Sequence, residues 1–461
     1  MSILKKGALD TSNQEDAKDT SIIFNELIYS YKVQNKPIEV DFRKLVNWVP
    51  YSDSETHYIH KYPAKLLKHI PIFFLNANLT NKTATILDPF CGTGTVLLES
   101  IKKGYKSIGT DANPIARLIA KVKTTPLEVT ELKNELSAIM SANRHLNNFK
   151  TPNVTNIDLW FLPHVKSDLS VLKKIIDSNT STKNRDFFLV CFSNILKKVS
   201  IADPNLSVPV RLKPEKYKSK DLKEKASTRL EQIKLINVFQ VYESQARENI
   251  SRMQKLASIN DLGIATVIGN DAKQLRYDYQ ENAPELKRES VDLIITSPPY
   301  AGAQKYVRAS SFSLGWLGFC ETSTLKSFEN ESIGREHYPT SLISKKISFG
   351  INEIDSRISE IYTTNPLRAY INGNYLREMD IAIKEMYRVL KAGKYCIIVI
   401  GNNEVCGKPF NTQLYINLLA ERHGFSTEMK LVDNIHSRGL MTKRNKTASI
   451  INSEWILVLK K

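Results

Sequence analysis

Cysteine is scarce in this chain, and what there is does not pair up. The 461 residues contain five cysteines, Cys91, Cys191, Cys320, Cys396 and Cys406, odd in number and with no CxxC spacing. That argues against a disulfide frame or a zinc knuckle and favours a reducing compartment. Long apolar runs are missing as well: none reaches the roughly 20 residues of a membrane-spanning helix. The opening MSILKKGALDTSNQED has no apolar signal stretch, so a cytoplasmic location is expected. Acidic residues are in deficit, with 48 Asp and Glu against 65 Lys and Arg, a net charge of +17 and a pI near 9.4. A chain this basic points to a polyanionic partner, most simply nucleic acid. Hydrophobic content of 42% and charged content of 25% are ordinary for a soluble globular protein. At this length the chain holds either one main domain with large insertions or two domains.

What is present centres on Ile294-Ile295-Thr296-Ser297-Pro298-Pro299-Tyr300. An apolar strand over 291–295 runs into two consecutive prolines, which cannot donate to a sheet ladder and so end it. The chain must then stand clear at the strand's carboxyl end, where open α/β sheets bind their ligands. The Ser297 hydroxyl and the Pro298 carbonyl are two acceptors suited to holding both hydrogens of an aromatic exocyclic amine. Tyr300 offers a ring on which a base can stack, worth about 1–3 kcal/mol. Catalysis by such a site would be mostly positioning, which can remove about 7–11 kcal/mol of a barrier. The alternative is an ordinary proline-terminated strand.

The second anchor is Thr85-Ile86-Leu87-Asp88-Pro89-Phe90-Cys91-Gly92-Thr93-Gly94-Thr95, a strand and glycine turn followed by a helix over 96–103 that Gly104 closes. Gly92 and Gly94 are expected to let a ligand approach the backbone, and the helix start offers free N–H groups. A strand over 107–110 ends at Asp111, and Asn113 caps a helix beginning at Pro114. An acid there, about 20 residues past the glycine turn, is placed for ribose hydroxyls. The GxGxxG dinucleotide spacing is absent.

Upstream lies His57-Tyr58-Ile59-His60-Lys61-Tyr62-Pro63-Ala64-Lys65. With Asp53 and Glu55 nearby the histidines resemble metal ligands, but no cysteine joins them and Lys61 and Lys65 would repel a cation, so no metal is expected. Pro63 is positioned to begin a helix carrying Leu66, Leu67 and Ile70. Residues 126–263 show helical patterns over 132–146, 168–176, 187–199 and 226–256, with Trp160 and Phe161 read as core. The stretch 211–229 carries eight Lys or Arg against three acids. Lys216, Lys218 and Lys220 there, with Arg308 further on, are candidates for phosphate contact, although a solvated face is an equal reading. A strand over 264–269 ends in Asn270-Asp271. Residues 301–374 look irregular, 374–390 form an amphipathic helix ending at Gly393, and 396–400, 426–432 and 454–459 are strands flanking a helix over 412–423.

Asp-Pro-Phe-Cys-Gly-Thr-Gly-Thr together with Thr-Ser-Pro-Pro-Tyr is similar to the two hallmark motifs of the S-adenosylmethionine-dependent DNA amino-methyltransferases of restriction–modification systems. The resemblance implies an α/β fold, a Rossmann-like class I methyltransferase mixed sheet with helices on both faces, plus a mainly helical insertion. It covers a catalytic domain of 51–125 and 264–461 and says little about the rest, which the residue patterns divide into an N-terminal segment of 1–50, a helical insertion of 126–263 and an irregular insertion of 301–374. Either insertion could recognise the target; the long one precedes the Asp271 strand, where the family's alpha arrangement does not place its recognition region. By the same resemblance Tyr62 and Lys65 help to seat the methionine end of S-adenosylmethionine. Asp88, Phe90, Gly92, Gly94 and Thr95 hold its amino-acid moiety, Asp111 its ribose, and Asn270 with Asp271 its adenine. Ser297, Pro298, Pro299 and Tyr300 are the catalytic tetrapeptide, and serine in first place is most typical of members acting on cytosine N4. Double-stranded DNA and a cognate restriction endonuclease are the implied partners. Adenine N6 methylation, an RNA amino-methyltransferase and a non-catalytic DNA-binding subunit are the alternatives. A ring-carbon methyltransferase is disfavoured, because no cysteine follows a proline.

Overall fold

The computed structural model describes residues 18–50, 55–63, 65–144, 152, 154–278, 283–301, 306–320, 325–343, 347–434 and 453–461. The expectations for residues 1–17 and for Asp53 and Ala64 lie outside these.

Before the glycine turn come α1 (Ser21–Gln34), β1 (Ile38–Val40), α2 (Phe42–Leu45) and α3 (His69–Leu75). The turn joins β2 (Thr85–Asp88) to α4 (Thr95–Lys102), followed by β3 (Lys106–Gly109) and α5 (Pro114–Thr124). A helical stretch follows: α6 (Val129–Ser141), α7 (Pro163–Asn179), α8 (Arg185–Leu196), α9 (Lys220–Lys234) and α10 (Val238–Ala257). Then β4 (Ala265–Val267) and β5 (Val291–Thr296) lead to short helices α11 (Tyr306–Ala309), α12 (Ser311–Trp316), α13 (Leu325–Glu331) and α14 (Thr340–Ile343). The chain closes with α15 (Asn352–Thr364), α16 (Pro366–Val389), β6 (Leu390–Ile400), β7 (Asn403–Val405), β8 (Lys408–Phe410), α17 (Thr412–Arg422), β9 (Ser426–Asn434) and β10 (Ser453–Lys460).

Eight strands form one sheet in the order β1-β9-β10-β6-β5-β2-β3-β4. All run parallel except β10, which lies antiparallel between β9 and β6. This is the expected Rossmann-like mixed sheet. Chain order reverses between β2 and β5: β3 and β4 step away on one side, β6 on the other. Ligands of open α/β sheets bind at such a switch point, beyond the carboxyl ends of the strands. Because β10 is inverted, its amino end reaches that same edge.

Alternation along the strands sets the two faces. Ile86, Leu293 and Ile397 pack with Phe24, Phe42, Phe73 and Phe74 on one side. Their neighbours Leu87, Ile294 and Ile398 pack with Leu376, Met379 and Leu419 on the other. All six positions of β5 are buried, as a central parallel strand requires. A third cluster ties the helical stretch to α5 and α12 through Ile119, Phe188, Phe192, Met253, Phe161 and Trp316.

Several boundaries differ from the sequence expectation. No helix starts at Pro63; α3 begins at His69, and residues 65–67 have no regular structure. The periodic stretch 226–256 is two helices, because Asn237 accepts from the Gln240 N–H and restarts the helix that Leu235 ends. Residues 301–374 are not irregular: their described parts are mostly helical, and α16 starts at Pro366, capped by Asn365. Gly393 does not end that helix but lies within β6 at φ +74°, donating to the Lys461 carbonyl. The strand β1 and the hairpin β7–β8 were not anticipated. Three-residue strands are too short to show a period.

Candidate cofactor and base site

The glycine turn follows directly from β2. Gly92 lies at φ +50° and Gly94 at φ +78°, conformations that favour glycine. Their surroundings differ. A methyl group built on Gly92 would meet nothing within 4 Å, whereas one on Gly94 would lie 3.0 Å from the Ala120 Cβ of α5. Open space for a ligand therefore lies over Gly92, while Gly94 serves the packing of α4 on α5. Thr95 is buried at the first position of α4.

Asp111 ends the adjacent strand. Its carboxylate accepts the Gly92 N–H at 3.0 Å and the Asn113 N–H at 2.8 Å, tying the turn to the start of α5. Burial raises its pKa while these donors lower it. A carboxylate has about four lone-pair sites, so two remain for hydroxyl donors. Asn113 caps α5 as expected, and its amide donates to the Tyr62 hydroxyl (3.0 Å) and to Ser310 (3.1 Å). Tyr62 is thereby brought beside Asp111, whose charge helps to raise the phenol's pKa, after burial. Thr110 donates to the Gly269 carbonyl at 2.5 Å and holds the end of β4, and with it Asn270-Asp271, against β3. Asp271 caps its own turn and pairs with Lys273 at 3.0 Å.

The two motifs meet across the switch point. Thr296, the last residue of β5, donates its hydroxyl to the Asp88 carboxyl at 2.6 Å. The Phe90 N–H donates to the same oxygen at 3.1 Å, and the Phe90 ring packs on the sheet core. Asp88 is 3% exposed, and burial pushes its carboxyl up to about 7. Ser297, Pro298, Pro299 and Tyr300 then leave the sheet without regular structure, as two prolines demand. Sequence reasoning missed Thr296, although its place next to Ser297 was a signal.

The histidine segment is a structural joint. His57 Nε2 lies 2.5 Å from Glu99, itself paired with Lys102, and burial lowers the imidazole's pKa. His60 contacts Ser193 at 2.9 Å, and burial holds its pKa down at about 4. Lys65 donates to the His57 carbonyl at 3.0 Å and covers the Tyr58 ring. Among the described residues no cluster of metal-ligating side chains forms, and no helix is long and apolar enough to cross a membrane.

Lys216, Lys218 and Lys220 are exposed just before and at the start of α9, and Arg308 is exposed on α11. A basic group not anticipated from sequence lies nearer the histidine segment: Lys61 stands close enough to Lys197 and Lys198 to help burial lower their pKa values.

Residues 4–121 match the DNA methylase family of the N6/N4 type. The chain is 26% identical over 431 residues to the Type II methyltransferase M.MvaI of Kocuria varians, covering 88% of this chain and 91% of that protein. It is 23% identical over 453 residues to M.BsoBI of Geobacillus stearothermophilus, covering 87% and 81% respectively. M.AvaI of Nostoc sp. is 24% identical over 372 residues, 75% of this chain and 74% of its own length.

The cofactor implied by the family is S-adenosylmethionine, and the residues fit it. The free space over Gly92 and the remaining acceptor capacity of Asp111 sit side by side at the switch point.

Proposed function

We propose that the methylase transfers a methyl group from S-adenosylmethionine to the N4 amine of cytosine in double-stranded DNA, as the modification enzyme of a restriction–modification system. The observation that carries this reading is the Thr296–Asp88 hydrogen bond, which joins a serine-first tetrapeptide to the cofactor turn. The designation of the similar proteins as Type II methyltransferases supports the biological setting.

In this reading the cofactor supplies an activated methyl group, and the protein supplies positions. Tyr62 and Lys65 border the methionine end, and Asp88, Phe90, Gly92, Gly94 and Thr95 form its shelf. Asp88 suits an ammonium group, because the named donors to its buried carboxyl, Thr296 and the Phe90 N–H, are neutral. Asp111 takes the ribose hydroxyls, and Asn270 with Asp271 the adenine. The Ser297 hydroxyl and the Pro298 carbonyl accept the two amine hydrogens, which turns the nitrogen lone pair out of conjugation and toward the methyl group. Tyr300 stacks on the extruded base and helps to offset the few kcal/mol of flipping. The proton leaves after transfer, so no strong base is needed. Lys216, Lys218, Lys220 and Arg308 contact phosphates. Residues 51–125 and 264–461 form the catalytic unit, with 126–263 or 301–374 reading the target.

The decisive experiment methylates unmodified plasmid DNA, digests it to nucleosides and identifies the product by mass spectrometry. N4-methylcytosine is expected. N6-methyladenine as the only product would overturn the choice of base and leave the amino-methyltransferase reading intact. A modified base in RNA alone, or in neither, would overturn both.

A further inference from the structure

Tyr300 is fixed at both ends by residues outside the tetrapeptide. At its backbone, Gly334 lies at φ +81°, and a methyl group there would sit 2.9 Å from the Tyr300 carbonyl oxygen. At the far end of its side chain, the Tyr300 hydroxyl is hydrogen-bonded to the carboxyl of Glu454, at the amino end of β10. The sheet explains the meeting. β10 is the one inverted strand, so its first residues stand at the edge where the parallel strands deliver Ser297, Asp88 and Asp111. From β5, the chain through Tyr300 crosses the end of β6 to reach it.

Glu454 is itself held. Its register partner on β9 is Asp433, 3% exposed. Arg43, at the start of α2, lies 3.8 Å from the Asp433 carboxylate and 3.9 Å from Asp41. The strand β1 pairs parallel with β9 and delivers Asp41 and Arg43 to this edge. Burial and the Asp433 charge push the Glu454 carboxyl up, while Arg43 and the Tyr300 hydroxyl stabilise its ionised form.

A tyrosine that only stacked would need no partner for its hydroxyl, and phenylalanine would serve. We propose that Glu454 is a positioning residue for the base-stacking ring: it accepts from the Tyr300 hydroxyl and, backed by Arg43 and Asp433, sets the ring's angle over the base. The inference rests on the stacking role proposed above for Tyr300.

The test compares Tyr300→Phe, Glu454→Ala, Glu454→Gln and the Tyr300→Phe/Glu454→Ala double variant in the full chain. Steady-state methyl transfer from labelled S-adenosylmethionine to unmodified plasmid DNA gives kcat and KM, and calorimetry gives cofactor affinity. Tyr300→Phe and Glu454→Ala are each expected to lower kcat about tenfold, a loss of roughly 1.4 kcal/mol in transition-state stabilisation. Cofactor affinity should stay within twofold, the double variant should lose no more than either single one, and Glu454→Gln, which keeps an acceptor, should recover most of the rate. A kcat for Tyr300→Phe within twofold of wild type, or a hundredfold loss in the double variant, would overturn the proposal. Should Glu454→Ala fail to fold, Tyr300→Phe and Glu454→Gln decide alone. A wild-type protein that methylates no DNA would instead remove the stacking role on which the inference rests.

Discussion

Thr296 Oγ1 lies 2.6 Å from Asp88 Oδ1, joining residues 208 positions apart in the chain. One ends the strand that leads to Ser297-Pro298-Pro299-Tyr300; the other ends the strand that leads to the glycine turn. In the proposed reading this bond ties the position of the base to that of the cofactor. Thr296→Val keeps the shape but removes the donor, leaving a buried carboxyl with less compensation. It should cost about 1–3 kcal/mol in urea unfolding and lower both kcat and cofactor affinity. Ser297→Ala, one residue on, should lower kcat far more than cofactor affinity, because its acceptor matters most as the amine rehybridises. Kinetics with calorimetry separates the two.

Asp88 also predicts a pH dependence of stability. Its carboxyl is raised from 3.8 to about 7 by burial, so the folded state holds the proton more tightly than the unfolded chain. Its contribution is full below 3.8 and is lost as the pH rises through about 7. Asp88→Asn cannot ionise and keeps an oxygen for Thr296. Thermal unfolding without cofactor should show the variant gaining on wild type as the pH goes from 5.5 to 8.5. The opposite shift of His60, held at about 4 by burial, is common to both proteins and cancels.

The two glycines of the turn should separate binding from folding. Gly94→Ala brings a methyl within 3.0 Å of Ala120 at φ +78° and should cost about 1–3 kcal/mol of stability. Gly92→Ala meets no atom and should lower stability less, while weakening S-adenosylmethionine binding about tenfold by filling the space above the turn. Calorimetry and unfolding of both variants give the comparison.

Salt dependence tests the basic surface. If Lys216, Lys218 and Lys220 neutralise phosphates, replacing all three by Ser should make the slope of log affinity against log salt shallower by about 2–3. An unchanged slope would move the contact to Arg308 or to the group around Lys61, Lys197 and Lys198.

The sequence by itself determined whatever is written in local chemistry. The consecutive prolines at 298 and 299 end β5, Asn113 and Pro114 start α5, and the glycines at 92 and 94 mark the turn. Each depends on backbone angles and on donors a few residues apart, so spacing alone reveals it. The tertiary structure alone decided which strand ends share an edge. Thr296 finds Asp88 because β2 and β5 pair across the switch point, and Glu454 reaches Tyr300 because β10 inserts in the opposite direction. Gly94, which looks like part of a ligand loop, faces Ala120 only once α4 lies on α5. These contacts carry no local periodicity: their free energy comes from burial and pairing between distant segments, and it exists only after the sheet has closed around them.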